Sequence, residues 1–553
     1  MRQSSFNRLS VAIAAGVVLL CTVSAFGQTG QLTTPQPAAT GNQEGQTVRS
    51  LTVDEAVKLG LDQNLGIQIQ RLDPQIQDEG VAQARAAWLP NVTSTFLKNS
   101  NNTQNTNSLA GGGSTITSGQ FSGGAGMNQL LPWGGSYTAN WGNSRSTTTN
   151  LSNTFNPSIS SSLSFNYTQP LMRNFSFDGV RQNVAATKNT RRISDVNLHA
   201  AIVQTARNVK NAYWDLVYQI DNLHAAQDSL RLAQQSLKDN SRRVEIGTMA
   251  PIDIVDAKVE VARNEEAVIV AQEAIEQAQD TLRMLIYDPK MPDFWSIRIE
   301  PSETAPFQEH KIDTEAAVRN ALDKRADLRS AKLTIQQSDI NIRYFRNQIL
   351  PDVNVQTNYQ ASGIGGVQLE SVNVFDPAAL AAREILSQRS YAAALGDALR
   401  GAYPFWSVGV QINYPLGTSA SRASLARARL QYAQSQTQLR NIEMQITAQV
   451  RSVARQVEAN EKRVESARAS RELAEQKLAA EEKKFAAGIR ETFFVFQAQR
   501  DLTTARTAEV RAIADYNKSL VDFEAVQEVS VGGGTGSVTT AGAGGSTAPP
   551  GGN

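Results

Sequence analysis

Residues 180–246 and 420–487 each run without a proline and are dominated by Ala, Gln, Arg, Glu and Leu. At about 1.5 Å of rise per residue, each stretch makes a rod roughly 100 Å long, several times the width of a small domain. A compact globule cannot house such rods, so the fold must be elongated. In the second rod Leu439, Ile442, Ile446, Val450, Val453, Val457, Val464 and Ala467 recur by threes and fours, including one three-four-four run. That spacing keeps an apolar seam nearly straight along a helical bundle, which predicts antiparallel coiled coil. Four shorter helices are predicted at 53–89, 252–287, 314–350 and 491–528, each about half a rod. Helix 252–287 can retrace the lower half of the first rod after a reversal at Gly247, and 314–350 can continue to its top.

The chain also repeats itself. Shifting it by 261 residues lays Ala56 on Ala317, Leu61 and Asp62 on Leu322 and Asp323, and Leu89-Pro90 on Leu350-Pro351; over 51–92 eleven of 42 positions are identical. Chance gives roughly two or three, so the halves read as duplicated. Later landmarks match too: "YTQPL" at 167–171 with "NYPLG" at 413–417, and "RRVEIGTMAPIDIVDA" with "EKKFAAGIRETFFVFQA", which sets Gly247 on Gly488.

After each Leu-Pro step the hydrophobic period changes from helical to alternating. In 405–416, Trp406, Val408, Val410, Ile412 and Tyr414 alternate with Ser407, Gly409, Gln411 and Asn413. One apolar face over about ten residues is what a tilted bilayer-crossing strand needs. Weaker alternation occurs near 92–98, 136–142, 161–167 and 353–360, separated by Gly, Ser, Asn and Thr tracts such as 99–119 that read as loops. Pro90, Pro170, Pro351 and Pro415 are predicted as hinges between rod and strand, because proline lacks the amide and clashes with a preceding helical turn. The longer first half, with about 79 residues between Pro90 and Pro170 against 63 between Pro351 and Pro415, leaves four or six strands open, with an extra hairpin near 126–143. Neither number closes a membrane barrel from one chain, and lipid tolerates no open strand edge, so several copies must share one. A soluble sandwich carried on coiled coil is the alternative.

The N-terminus carries Arg2 and Arg8, an uncharged run 9–20, then small residues, the order of a secretory signal peptide at 1–27. An uncleaved anchor or a lipid on Cys21 are alternatives. No later segment is apolar for about 18 residues, so any further membrane contact falls to strands. With 53 basic against 52 acidic residues, nothing favours nucleic acid. Cys21 is the one cysteine, and His199, His224 and His310 share no ligand spacing. No P-loop, zinc motif or nucleophile elbow occurs, so neither an enzyme nor a cofactor is expected. "GIGG" at 363–366 and "GGG" at 111–113 read as turns.

"LTVDEAVKLGLDQN" with "ARAAWLPNV", and "IDTEAAVRNALDKR" with "NQILPDV", resemble the two copies of the entry helix and first strand in the TolC-like outer-membrane efflux family. The resemblance covers nearly all of 51–528. It implies an internally duplicated α+β membrane protein in which a long α-helical coiled-coil barrel continues into a transmembrane β-barrel shared within a homotrimer, twelve strands in all. The expected organisation is a linker at 28–50, a first repeat at 51–287, an equatorial connector at 288–312, a second repeat at 313–528 and a disordered tail at 529–553. The resemblance further implies a periplasmic helical tunnel, an outer-membrane exit duct, a periplasmic adaptor and an inner-membrane pump as partners, and contact with outer-membrane lipid. A non-conducting coiled-coil spacer anchored by its strands is the alternative function.

The resemblance places the entrance at the reversals, with Gly247, Pro251 and Gly488 as turns where the adaptor docks. Phe485 and Arg490, facing Asp253, match the family's lock; the alternative is a pair of solvated tip charges. Phe494 and Gln497 stand where well-studied members carry aspartates, so a carboxylate ring is not expected on that coil. Phe493, Phe494 or Phe496 could narrow the pore by dewetting, or simply pack in the seam. Asp253 and Asp256 could form a cation-sensitive ring on the first coil, or simply belong to its solvated face.

Overall fold

The computed structural model describes residues 48–106, 114–303, 307–370, 383–415 and 419–531. The expected signal peptide, Cys21, the "GGG" turn at 111–113 and the tail beyond 531 lie outside the described residues.

Helices α1 (Val53–Gln63) and α2 (Leu65–Ala86) lead to β2 (Asn91–Gln104), β3 (Thr115–Leu130), β4 (Ser136–Thr148) and β5 (Phe155–Pro170). The long α3 (Gly179–Glu245) then turns into α4 (Ile252–Ile286). In the second half α5 (Thr314–Lys324) and α6 (Ala326–Gln348) precede β7 (Asp352–Leu369), the short β8 (Ile385–Arg389), α7 (Tyr391–Arg400) and β9 (Tyr403–Asn413). Next come α8 (Ala420–Ala486) and α9 (Thr492–Val526). The two long helices have 67 residues each and their return helices 35 each.

Each entry helix is two helices, not one. Asn64 has extended backbone and its side chain caps α2 by accepting from the Ile67 amide. The equivalent Arg325 is also extended and is 1% exposed. Its guanidinium binds Asp327, the Gln449 side chain and the Val526 carbonyl, tying the break to α8 and α9. A buried charge with this many partners is fixed in one place.

The connector is more regular than its prolines suggest. β1 (Val48–Leu51) pairs in parallel with β6 (Arg298–Pro301), so residues 48–50 belong to a strand and not to a linker. Around this ribbon Tyr213, Leu216, Leu282, Ile286, Phe294 and Ile299 form the largest apolar cluster, and the Tyr213 hydroxyl donates to the Leu51 carbonyl. At the other end Val529 is buried and Val531 packs on the Ile446–Val450 cluster, so residues 529–531 pack with the second repeat and not with the expected tail.

Among the described residues, six long antiparallel strands make the sheet, in the order β2-β3-β4-β5-β7-β9, and β8 pairs with the far end of β7. The extra hairpin is β3–β4, which decides for six strands. Two expected loops are strand: β2 and β3 extend through much of the polar tract at 99–119, and "GIGG" lies within β7. Gly363 is small because α7 crosses it; a Cβ there would collide with the Ala394 carbonyl.

Opposed residues in this register share a face. One face carries Phe96, Phe121, Trp141, Phe165, Tyr359, Trp406, Val408, Val410 and Ile412. The other is rich in Ser, Thr, Asn and Gln, with cross-strand bonds such as Ser144 Oγ to Ser160 Oγ at 2.7 Å and Gln356 to Gln411 at 2.8 Å. β2 and β9 are paired on one side only, and every residue in both is exposed.

Pro90, Pro170, Pro351 and Pro415 all sit at or within two residues of a strand end. There the halves are fastened together: the Asn174 amide donates to Asn347 Oδ1 at 2.7 Å, and Gln348 Nε2 donates to Asn174 Oδ1 at 2.6 Å.

Candidate functional site

The helical turns farthest from the sheet have one backbone design. At the end of α3 the Gly247 and Thr248 amides donate to the Val244 and Arg243 carbonyls; at the end of α8 the Gly488 and Ile489 amides donate to Phe485 and Lys484. These paired bonds close a helix C-terminus through a left-handed residue. Gly247 has φ +78° and Gly488 +74°, and a Cβ at either would meet nothing within 4 Å. Glycine is therefore required for its backbone and not for space. Pro251 immediately precedes Ile252, the first residue of α4.

The side chains differ. On the second tip Glu481 is buried; one carboxylate oxygen accepts from Lys484 Nζ at 2.7 Å and the other lies 3.7 Å from Arg490 Nε. The Lys484 hydrogen bond, with the charges of Lys484 and Arg490, holds the Glu481 carboxyl below its ordinary range. The Arg490 guanidinium lies 4.2 Å over the Phe494 ring, and Phe494 meets Phe493 edge-on. Phe485 closes an apolar cluster with Leu478, Val495, Ala498 and Leu502.

The expected lock residues are therefore occupied differently within one subunit. Arg490 is held by Glu481 and Phe494, and no ion pair joins it to Asp253 among the described residues. Phe485 instead receives Arg243 of the first tip, whose guanidinium stands 4.4 Å over the ring. The three phenylalanines also separate: Phe496 is buried in the seam, Phe494 is half-buried and Phe493 is 57% exposed. Asp253 is half-buried and Asp256 exposed on the outer turn of α4.

Above the tips a polar ladder joins the two coils. Glu260 of α4 is buried and lies 3.4 Å from Arg500 of α9 and 3.8 Å from Arg263. Gln499 donates to Ser236 at 2.9 Å, Ser229 and Thr503 share a hydrogen bond of 2.8 Å, and Arg506 approaches Asp228 at 4.0 Å. Arg506 also binds Glu475, which shares Arg471; burial opposes charge on Glu475, but hydrogen bonds from Arg506 and Arg471 hold its carboxyl below its ordinary range. Sequence reading missed this ladder. Its signal was Glu260, a carboxylate stepping with Ala257, Asn264 and Ala271 along an otherwise small-residue stripe.

The sheet thus presents one apolar face and is rooted in two long coils, which polar contacts join near the turns farthest from it. Residues 136–286 and 317–526 match the model of the outer membrane efflux protein family, and the chain belongs to that family. Membership places it in the outer membrane with a role in efflux. No curated protein matches it in sequence. Among solved structures it resembles CusC, known from crystal structures concerned with folding and transmembrane channel formation, with TM-score 0.62 at 14% identity over 87% of this chain and 92% of CusC. The CmeC outer membrane channel of Campylobacter jejuni gives 0.59 at 13% over 90% and 94%. VceC from Vibrio cholerae gives 0.58 at 14% over 86% and 96%. At these identities the likeness shows the fold.

Proposed function

We propose that three copies of the chain assemble into a passive exit duct, in which a shared β-barrel crosses the outer membrane and the coils form a tunnel in the periplasm. The observation that carries this reading is the pair of one-sided strands, β2 and β9, at opposite edges of a sheet with one apolar face. An unpaired edge cannot stay in hydrocarbon, and joining β9 of one copy to β2 of the next removes both edges. Six strands from each of three copies make eighteen, not the twelve implied by resemblance. Barrels of 16–18 strands leave an aqueous channel, lined here by the Ser, Thr, Asn and Gln face.

Apolar residues on the helices support lateral association. Ile69, Leu72 and Ile76 of α2 and Val259, Ile269 and Val270 of α4 are exposed, as are Leu430, Met444 and Leu473 of α8. The matching lengths of the two long and the two return helices support the duplication read from sequence.

The tips then form the periplasmic entrance. Exposed Ile246, Ile252 and Ile489 beside Gly247, Pro251 and Gly488 offer apolar contacts to an adaptor, and an inner-membrane pump supplies the energy. Opening is an untwisting of 242–257 and 482–498 that breaks the Arg243–Phe485 and Glu260–Arg500 contacts. Asp253 and Asp256, with Phe493, face the aperture; Arg490 can exchange Glu481 for an aspartate of another coil when the tips move. Single-channel recording of purified protein in planar bilayers tests the duct: long-lived conductance that rises on replacing Arg500 supports it. An inserted but electrically silent protein would instead mark a structural spacer.

A further inference from the structure

The apolar face of the sheet holds a groove of about 380 Å³, within the range of small-molecule sites. Its walls are Phe96, Phe121, Trp141, Ile159 and Tyr391, the last from the first turn of α7. Its floor is Gly123 and Ala125, and Gly123 is needed because a Cβ would stand 2.9 Å from the Phe96 ring. Phe121, Trp141 and the floor belong to β3 and β4, the hairpin that the first half has and that has no long counterpart among the described residues of the second.

Two cations stand on this same face. Lys98 lies opposite Phe121 and Phe121 opposite Arg145, so one cross-strand row reads cation, aromatic, cation. With strands about 4.8 Å apart, the two charges are rooted roughly 10 Å from each other. Arg145 itself lines the groove. Neither cation has an ion pair or hydrogen bond with any described residue. No acidic residue occurs between Glu79 and Asp178, so β2 to β5 supply no counter-ion at all.

Lys98 is the eighth residue of β2, roughly 24 Å along the strand from its hinge end, or about 18 Å of height at a tilt of about 40°. That is the upper part of an apolar band about 25 Å tall, where a cation on the lipid side is costly unless it reaches the interface and meets an anion. Both side chains are long enough to extend toward the interface.

We propose that this groove is a binding site for an anionic lipid: one acyl chain lies between Phe96, Phe121 and Trp141 while Lys98 and Arg145 hold the headgroup phosphate. The inference rests on the membrane reading above and adds a lipid selectivity that an apolar wall alone does not have.

The test is native mass spectrometry of the full chain in neutral detergent, titrated with phosphatidylglycerol and with phosphatidylcholine of the same acyl chains. Each cation near a lipid surface contributes about fivefold, so the protein should retain phosphatidylglycerol roughly 25-fold better. Lys98→Gln or Arg145→Gln should each remove about fivefold, and the double variant should no longer distinguish the lipids. Ala125→Leu, which fills the floor, should lower retention of both. Bilayer conductance of each variant, expected at the unsubstituted value, confirms folding. Equal retention of the two lipids by the unsubstituted protein, or an unchanged preference in the double variant, would overturn the site and leave the duct intact. Displacement of phosphatidylglycerol by inorganic phosphate would overturn the lipid as occupant. A protein that enters neither micelles nor bilayers would overturn the duct reading itself.

Discussion

The two coil tips share a backbone and differ in how they are held. Both turn through a left-handed glycine with the same pair of amide bonds. The second tip is braced internally: Glu481 with two cations, Arg490 on Phe494, and Phe485 on a buried cluster. The first has little of this. Ile246 and Ile252 are exposed, and beside its own Thr248 Oγ1 bond to the Arg243 carbonyl it is held mainly by contacts made outward to the other coil: Arg243 on Phe485, Ser236 with Gln499 and Glu260 with Arg500. A coil stabilised by its own contacts can hold its shape when displaced, while one stabilised by its neighbour is freed once that neighbour is lost. In the opening proposed above, the first coil would then be the mobile arm and the second the post.

Substitutions that strike the arm and spare the post should separate them. The largest effect is expected from Glu260→Ala, which leaves Arg500 and Arg263 without their buried carboxylate; with Arg500 partly exposed the loss is about 2 kcal/mol, below that of a fully buried pair. Conductance should rise several-fold, and hydrogen exchange should quicken in 242–264 with 478–500 nearly unchanged. Equal quickening in both coils would dissolve the distinction. Phe485→Ala removes half-buried packing and the Arg243 contact together, at about 1.5–2 kcal/mol, and should loosen both tips.

Smaller changes sharpen the same contrast. Gly247→Ala and Gly488→Ala each force a side chain into the left-handed region at about 1 kcal/mol; because both sites are open, the two costs should match in thermal unfolding. Only Gly247→Ala should then alter gating, since the post absorbs its strain. The weakest expected effect is that of acid. Glu481 and Glu475 have lowered carboxyl values, so their bracing is complete above the ordinary glutamate range, near 4.3, and is lost as pH falls through the lowered values. Conductance should stay flat from neutrality to that range and rise below it, and Glu481→Gln should lose part of the acid response.

The sequence disclosed this architecture unevenly. The rods were legible because a helical seam repeats over many turns and no proline interrupts it. The entry-helix breaks at Asn64 and Arg325 were not, since each depends on partners distant in sequence, such as Gln449 and Val526 for Arg325. Strand ends were hidden for another reason: the positions on the polar face are Ser, Asn and Thr, which have the composition of loops, while Gly363 serves α7 and looks like a turn. At the tips, glycines and aromatics were visible by position, but the partner of Phe485 was not. Arg243 and Arg490 flank equivalent glycines, and only packing decides which guanidinium reaches the ring.

The central claim is that neighbouring copies complete one another's sheet, and imaging the detergent-extracted particle at a resolution that counts strands tests it most directly. The account predicts three chains around eighteen strands, with β9 of each beside β2 of the next. A single chain, stable in water with both edges free, would contradict it.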